Sequence, residues 1–388
     1  MPNPVIGVFY HWLGGLASAS FYIPYRGVKK WSWETYWLVG GFFSWIIAPM
    51  LLATLLVPDL WPSIHATPTN ALLWAYFFGT MWGIGGLTFG LTMRYLGIAL
   101  GMAVALGYCA AFGTLMPPIF EGKIGELMSK SSGQTILLGV VVCLIGIAIS
   151  GLAGMSKEKE LSAEEKAATV KEFNFGKGIL VATFSGVMSS CFAYGLAAGK
   201  PLAVIAKSSL LAHGGSDLWQ NLPVLVVVLW GGFTTNFIWC VILNLRNRSG
   251  HEYLNLRATA VGEVSAAEGV MLSSAPEEKS VQKPGPSKVE TGPAPLLPNY
   301  IFSAIAGVTW YMQFFFYSMG QTKMGKYDFS SWTLHMASII IFSTLWGIVL
   351  HEWKGTSKRT HVLIGIGLAV LIGSTVIVGY GNMLGVGK

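Results

Sequence analysis

Residues 135–153 read TILLGVVVCLIGIAISGLA, nineteen consecutive residues without a charged side chain. A helix of about 20 apolar residues spans the roughly 30 Å hydrocarbon core of a bilayer. The rest of the chain has the same character, because 53% of its 388 residues are hydrophobic and only 11% are charged. Soluble domains carry about 25% charged residues. The composition therefore predicts an all-α membrane protein and excludes a soluble domain or a disordered chain.

The sequence predicts ten transmembrane helices. Each is a run of about 20 mostly apolar residues, and every lysine and arginine lies outside these runs or at their ends. The ten segments cover residues 4–25, 35–56, 71–93, 96–118, 135–153, 177–199, 221–245, 299–320, 328–350 and 361–381.

Positive charge is distributed unevenly over the connections. Of the 25 lysines and arginines, 18 lie in the connections that follow odd-numbered helices. Because positively charged loops remain in the cytoplasm, this asymmetry predicts an inner-membrane protein with both termini in the periplasm. The net charge of +7 is then an insertion signal, and we expect a lipid bilayer and no nucleic acid as the partner.

Two connections have a composition of their own. Residues 154–176 form a charged cytoplasmic linker, in which Ser162 and Glu165 have the spacing of a capping box. The linker is expected to be either a short helix or a solvated segment. Residues 246–297 are rich in Ser, Pro, Gly, Glu and Lys and are expected to be largely disordered, because they cannot bury enough apolar surface.

Internal similarity predicts a duplication of five helices. Four short motifs recur in the same order in the two halves: Gly15–Phe21 with Gly186–Phe192, Gly40–Phe42 with Gly231–Phe233, Gly79–Trp82 with Gly307–Trp310, and Thr114, Leu115 and Glu121 with Thr344, Leu345 and Glu352. Because five is odd, residues 1–153 and 177–388 are expected to be inverted repeats, which are typical of secondary transporters. The alternative is that small-residue packing motifs recur in any membrane bundle.

Two histidines are the candidates for proton coupling. His11 and His335 are the ionisable side chains well inside the predicted spans, and both lie about 10 Å below the outer face at 1.5 Å per residue. Asp328 precedes His335 by seven residues, which is two helical turns, and is expected to pass protons inward. The alternatives are interhelical hydrogen bonds for the histidines and a helix N-cap for Asp328. We expect no cofactor and no metal, with the proton as the coupling ion.

Aromatic and amide side chains favour a sugar as the substrate. Sugar sites combine flat apolar rings with hydrogen-bonding groups. The candidate substrate-binding residues are Gln313, Asn236, Trp310, Trp82, Tyr311 and Tyr317. Ordinary aromatic packing and interhelical amide bonds are the alternatives. Arg94 and Glu34, both predicted on the cytoplasmic side, are interpreted as an anchor or a gate salt bridge.

Four stretches of the chain resemble the bacterial L-rhamnose–proton symporter family of the drug/metabolite transporter superfamily. They are Val28–Thr35, Gly90–Gly97, Trp310–Tyr317 and Tyr327–Met336. The resemblance spans nearly the whole chain and implies ten helices, an inner-membrane location and proton-driven sugar uptake.

The expected function is a proton-coupled symporter that imports L-rhamnose or a related monosaccharide, with a site between the two repeats. The nearer alternative is a transporter or exporter of another small polar metabolite with the same fold. An intramembrane enzyme is the more distant one. The chain contains neither H-E-x-x-H nor G-x-S-x-G, so we expect no enzymatic activity.

Overall fold

The computed structural model describes residues 2–160, 174–255 and 293–386, and no strand occurs among them. Ten long helices in the described part of the chain, labelled α1 to α10, lie at the predicted positions. Their bounds are Pro4–Ser20 (α1), Trp33–Leu56 (α2), Thr69–Leu96 (α3), Ile98–Phe120 (α4), Ser131–Glu160 (α5), Phe175–Ala198 (α6), Leu222–Asn247 (α7), Leu296–Lys323 (α8), Ser331–Val349 (α9) and Lys358–Leu384 (α10). Shorter helices at Leu60–Ala66, Ile124–Ser129 and Lys200–Ala212 lie between them.

Eight of the described helices are long and apolar enough to cross a membrane, and the chain is a multi-pass membrane protein. They are α2 to α7, α9 and α10. The other two are α1, which has 17 residues, and α8, whose buried face carries Asn299, Ser303, Gln313 and Ser318. Polar side chains of this kind lower the hydropathy of a helix and are tolerated in a membrane where they face other helices or water.

The start of α9 differs from the prediction. The sequence predicted one helix from residue 328, but Gly325–Ser330 forms a 3-10 helix, and α9 begins at Ser331. Tyr327 within this turn has non-helical dihedral angles, with φ −103° and ψ 36°. Asp328 therefore precedes α9, and the helical periodicity that was expected to place it on one face with His335 does not apply to it.

The ends of the predicted long loop are helical. Its first residues complete α7 and form a 3-10 helix at Ser249–Leu254, and its last residues begin α8. The Glu252 carboxylate accepts hydrogen bonds from the backbone N–H of Ser32 at 2.7 Å and from its hydroxyl at 2.9 Å. These bonds attach the 3-10 helix to the start of α2. Residues 256–292, and the capping box at Ser162 and Glu165, lie outside the described residues.

The helices pack in a repeating pattern. Helix α1 packs on α8 and α9, α6 packs on α3 and α4, and α5 packs along α10. Glycines allow the closest crossings. A Cβ atom at Gly307 would overlap the carbonyl oxygen of Gly40 in α2, and one at Gly79 would overlap the carbonyl oxygen of Val228 in α7. Both crossings therefore need a residue without a side chain.

Candidate functional site

A large cavity of about 400 Å³ lies between the helices and is lined by residues of α1 to α9. It runs from Trp332 and His335 in α9 to Lys157 and Glu158 in α5, close to Glu352. Its lining residues therefore extend to the end of the molecule where α5 and α9 finish. A volume of this size is typical of a site for a small organic molecule.

Tryptophans form one wall of the large cavity. The ring of Trp310 lies 5.2 Å from that of Trp45 and 5.9 Å from that of Trp82, measured between centroids. Phe314, one helical turn after Trp310, lies 5.1 Å from it. Trp37 also lines this wall. Flat apolar surfaces of this kind match the C–H faces of a pyranose.

Two amides contribute hydrogen-bonding groups to the same cavity. Gln313 is 4% exposed, and its amide makes no hydrogen bond with another described residue. Asn236 donates to the carbonyl oxygen of Gly232 at 2.9 Å and accepts from the Trp37 indole at 3.5 Å. The Gln313 amide is therefore the more available partner for a ligand, because a buried amide is normally hydrogen-bonded.

His335 lines the large cavity, whereas His11 does not. Both imidazoles are fully buried, and none of their ring nitrogens has a hydrogen-bond partner. His11 contacts the ring of Tyr317 at 5.3 Å, and His335 contacts it at 5.2 Å. Tyr317 thus lies in contact with both histidines. Buried polar groups without partners are rare and suggest a role beyond packing.

A small cavity of about 110 Å³ lies at the other end of the molecule, where α4 ends and α9 begins. It is lined by Tyr317 of α8, Asp328 and a group of charged residues. Lys200 Nζ lies 3.4 Å from Glu121 Oε1 and 3.6 Å from Asp328 Oδ2. Lys123 Nζ lies 2.6 Å from the second oxygen of Glu121. This ion-pair cluster joins the end of α4 to the turns that begin Lys200–Ala212 and α9.

The charges in the cluster stabilise one another. Partial burial favours the protonated form of Glu121, but the hydrogen bond from Lys123 and the charges of Lys200 and Lys123 outweigh it and lower the pKa of this carboxyl. The hydrogen bond to Glu121 is the main cause that raises the pKa of Lys123. Glu121 and Lys123 are consequently both charged at neutral pH.

A layer of aromatic rings separates the two cavities. Phe192 of α6 stacks on Phe314 at 4.2 Å and on Trp332 at 5.5 Å. Tyr317 lies 5.9 Å from Trp332 and lines the small cavity, while its neighbour His335 lines the large one. Tyr317 is therefore part of the partition.

The predicted residues do not all lie at one cavity. Gln313, Asn236, Trp310, Trp82 and His335 meet at the large cavity, and Asp328 and Tyr317 meet at the small one.

Tyr311, His11, Glu34 and Arg94 line neither cavity. Glu34 accepts hydrogen bonds from Asn247 at 3.0 Å and Ser249 at 2.6 Å. The pairing of Glu34 with Arg94 stays a prediction.

Several residues that line the large cavity were not predicted from the sequence. Trp37, Trp45 and Trp332 were indistinguishable from packing aromatics, because aromatic rings are common in all membrane helices. A signal existed for Ser18 and Ser189, which also line the large cavity. They occupy matching positions in the first repeated motif, Gly15–Phe21 and Gly186–Phe192. Among the described residues, no group of His, Cys, Asp and Glu side chains could hold a metal ion.

Comparison with known proteins identifies relatives along nearly the whole chain. The family model described as L-rhamnose-proton symport protein (RhaT) matches residues 1–261 and 290–384. A protein named L-rhamnose-proton symporter from Yersinia pestis (strain Pestoides F) is 36% identical over 380 residues, which cover 97% of this chain and 98% of that protein. One of the same name from Shigella sonnei (strain Ss046) is 36% identical over 383 residues, covering 98% and 99%. The resemblance drawn from the four sequence stretches is confirmed.

Proposed function

The chain belongs to the L-rhamnose-proton symport protein family, and we propose that it imports L-rhamnose, or a closely related monosaccharide, together with a proton across the inner membrane. The observation that carries this proposal is the match of the family model to residues 1–261 and 290–384. A symporter is a transporter and not an enzyme. The large cavity supports the proposal, since it combines aromatic rings with amide groups.

In this proposal the sugar binds in the large cavity. The rings of Trp310 and Trp82 contact its apolar faces, and Gln313 and Asn236 bind its hydroxyl groups. Tyr311 and Tyr317 were predicted to contact the sugar too. In this conformation Tyr311 lines neither cavity, and Tyr317 lines the small one. For them the role requires the helices to rearrange during transport.

His335 is the proposed proton-linked group, with His11 second. A ring nitrogen of an imidazole can bind a proton and release it again, and can therefore carry one between two aqueous compartments. The position of His335 on the large cavity supports this role, because a released proton would reach water there. Asp328, on the other side of Tyr317, is the proposed entry point.

Two inverted repeats of five membrane-spanning helices are the proposed architecture, with boundaries at residues 153 and 177. The repeated motifs support it, since Gly307 and Gly79 make equivalent close crossings with α2 and α7. The repeat-related Glu121 and Glu352 lie at opposite ends of the molecule and pair with Lys200 and Arg26, at 3.4 Å and 3.6 Å. Inverted repeats permit alternating access around a central site.

Both termini are proposed to lie in the periplasm, as the loop charges indicate. With this orientation the large cavity opens towards the cytoplasm, and the aromatic layer and the ion-pair cluster close the periplasmic side. The structure would then correspond to the inward-facing state, from which sugar and proton leave.

Sugar-evoked proton uptake tests the function. L-rhamnose added to de-energised vesicles containing the protein should make the external medium more alkaline, and vesicles without the protein should show no change. An absent proton signal in the presence of L-rhamnose uptake would contradict symport.

The assignment of His335 is tested in the same vesicles. His335→Ala should retain exchange of labelled for unlabelled L-rhamnose and lose the proton signal. His65→Ala is the matched control, because His65 is exposed in the helix Leu60–Ala66. Full proton-coupled accumulation by His335→Ala would show that another group carries the proton.

A further inference from the structure

Lys200 is the residue of the ion-pair cluster that connects separate parts of the fold. It is the first residue of the helix Lys200–Ala212, and its ammonium bridges Glu121 at the end of α4 and Asp328 before α9. The Lys200 and Asp328 side chains are 47% and 28% exposed. An ammonium this close to a carboxylate, 3.6 Å between Nζ and Oδ2, favours the ionised form of that carboxylate.

Asp328 and His335 lie on the two sides of one ring. Asp328 and Tyr317 line the small cavity together. The same Tyr317 ring lies 5.2 Å from His335, which lines the large cavity. A proton that leaves Asp328 would therefore pass Tyr317 to reach the other cavity. This route is closed to a sugar by the stacked rings of Phe192, Phe314 and Trp332.

We propose, building on the proposed symport function, that Lys200 is a positioning residue for proton coupling: its ammonium replaces the proton on Asp328 when the periplasmic side closes. In the open state the ammonium is away from Asp328, and the partly buried carboxyl binds a proton from the periplasm. On closure the O–H bond of Asp328 breaks, the carboxylate pairs with Lys200, and the proton moves to a ring nitrogen of His335. The imidazolium then releases it into the large cavity, so that both groups regain their starting charge.

Other charged groups around Asp328 are engaged or less favourably placed. The titratable side chains that line the same cavity are Glu121, Lys123, Glu126, Lys200, Lys326, Tyr317 and Tyr327. Lys123 is bound to Glu121 at 2.6 Å, and the ammonium of Lys326 lies 5.0 Å from the ring centroid of Tyr327. Glu121 also pairs with Lys200, at 3.4 Å, and therefore contributes to its position.

The experiment separates coupling from transport. In vesicles with an imposed pH gradient of about one unit, symport with one proton supports about tenfold accumulation of L-rhamnose, because one pH unit equals a factor of ten in the proton concentration ratio. We expect Lys200→Met to retain L-rhamnose exchange at the wild-type rate while the accumulation ratio falls from about 10 to about 1. Sugar-evoked proton uptake should be lost as well. Lys200→Arg should restore both.

Lys207→Met is the matched control. Lys207 lies in the same helix, is 46% exposed and pairs with Asp217 at 3.9 Å, so its replacement removes the same charge from a pair outside both cavities. This variant should accumulate L-rhamnose as the wild type does.

Asp328→Asn provides an independent test, because it removes the group from which the proton is displaced. It should show the same selective loss of accumulation, and the double variant with Lys200→Met should be no worse than either single variant. The proposal is overturned if Lys200→Met accumulates L-rhamnose with the wild-type ratio. It is also overturned if this variant, present in the membrane at the wild-type level, loses exchange together with accumulation. A wild-type protein without L-rhamnose-evoked proton uptake would instead contradict the proposed function.

Discussion

The crossing of α8 and α2 at Gly307 offers a quantitative test of the fold. A Cβ atom at Gly307 would overlap the carbonyl oxygen of Gly40 and would lie 3.0 Å from the carbonyl carbon of Gly40 and from Cβ of Phe43. Ordinary contacts begin at 3.4 Å, so the two 3.0 Å contacts alone require Gly307→Ala to separate the two helices by about 0.4 Å, and the overlap with the Gly40 oxygen requires more. Overpacking of this kind costs about 1–3 kcal/mol.

Gly365→Ala in α10 is the control, because no atom lies within 4 Å of a Cβ added there. Alanine is favoured over glycine in a helix by about 0.5–1 kcal/mol, and the control should therefore be slightly stabilised. Since Gly307→Ala gains the same helix propensity, the difference in unfolding free energy between the two variants should equal the overpacking cost of about 1–3 kcal/mol. At about 2 °C per kcal/mol for a large domain, this corresponds to a difference in Tm of about 2–6 °C.

Cys109, Cys143, Cys191 and Cys240 provide the assay, because all four are free and buried. A thiol-reactive dye will label them only as the protein unfolds on heating in detergent. We expect Gly307→Ala to melt below the wild type and Gly365→Ala to melt at or above it. If Gly307→Ala melts at the temperature of Gly365→Ala, the close crossing does not exist and the packing of α8 described above is wrong.

Three further outcomes are expected. Gln313→Leu conserves the size of the side chain but removes the amide, and should weaken L-rhamnose binding about 5- to 30-fold, or about 1–2 kcal/mol, in calorimetry. Trp310→Ala should weaken binding at least about 2- to 10-fold through lost ring contact, whereas Trp74→Ala, at an exposed ring outside both cavities, should leave affinity unchanged. The lowered pKa of Glu121 means that its ionised form stabilises the fold above the ordinary carboxyl range and that this contribution is lost as the pH falls through the lowered value. The Tm difference between wild type and Glu121→Gln should therefore shrink on acidification.

The positions of the helices could be predicted from the sequence because they depend on local composition. A run of about 20 apolar residues in a bilayer has to form a helix, since no water is present to bind its backbone groups. The predicted start of α9 was wrong because this rule is weak at the end of a span. Asp328 lies near the end of a span, where Gly325, with φ 68°, redirects the chain and a 3-10 turn precedes α9.

The lining of the large cavity could be predicted only in part. Gln313 and His335 were selected because amides and imidazoles are costly in a membrane without a purpose, and Trp310 because flat rings suit a sugar face; all three line the cavity. Tyr311 was selected on the same grounds, yet it is fully buried and lines neither cavity. Neighbouring residues on a helix point about 100° apart, so the rotation of α8 decides which of them faces the cavity. That rotation is set by how α8 packs against its neighbours, above all α1.

The sequence by itself determined the membrane location, the helix positions and the family, because apolar runs and motifs are properties of short stretches of chain. Only the tertiary structure decided that Lys200 meets Asp328, and that Tyr317 separates Asp328 from His335. Lys200 and Asp328 are far apart in the chain, and such a contact depends on how several helices pack together. Packing is a property of many residues acting at once, and no local pattern encodes it.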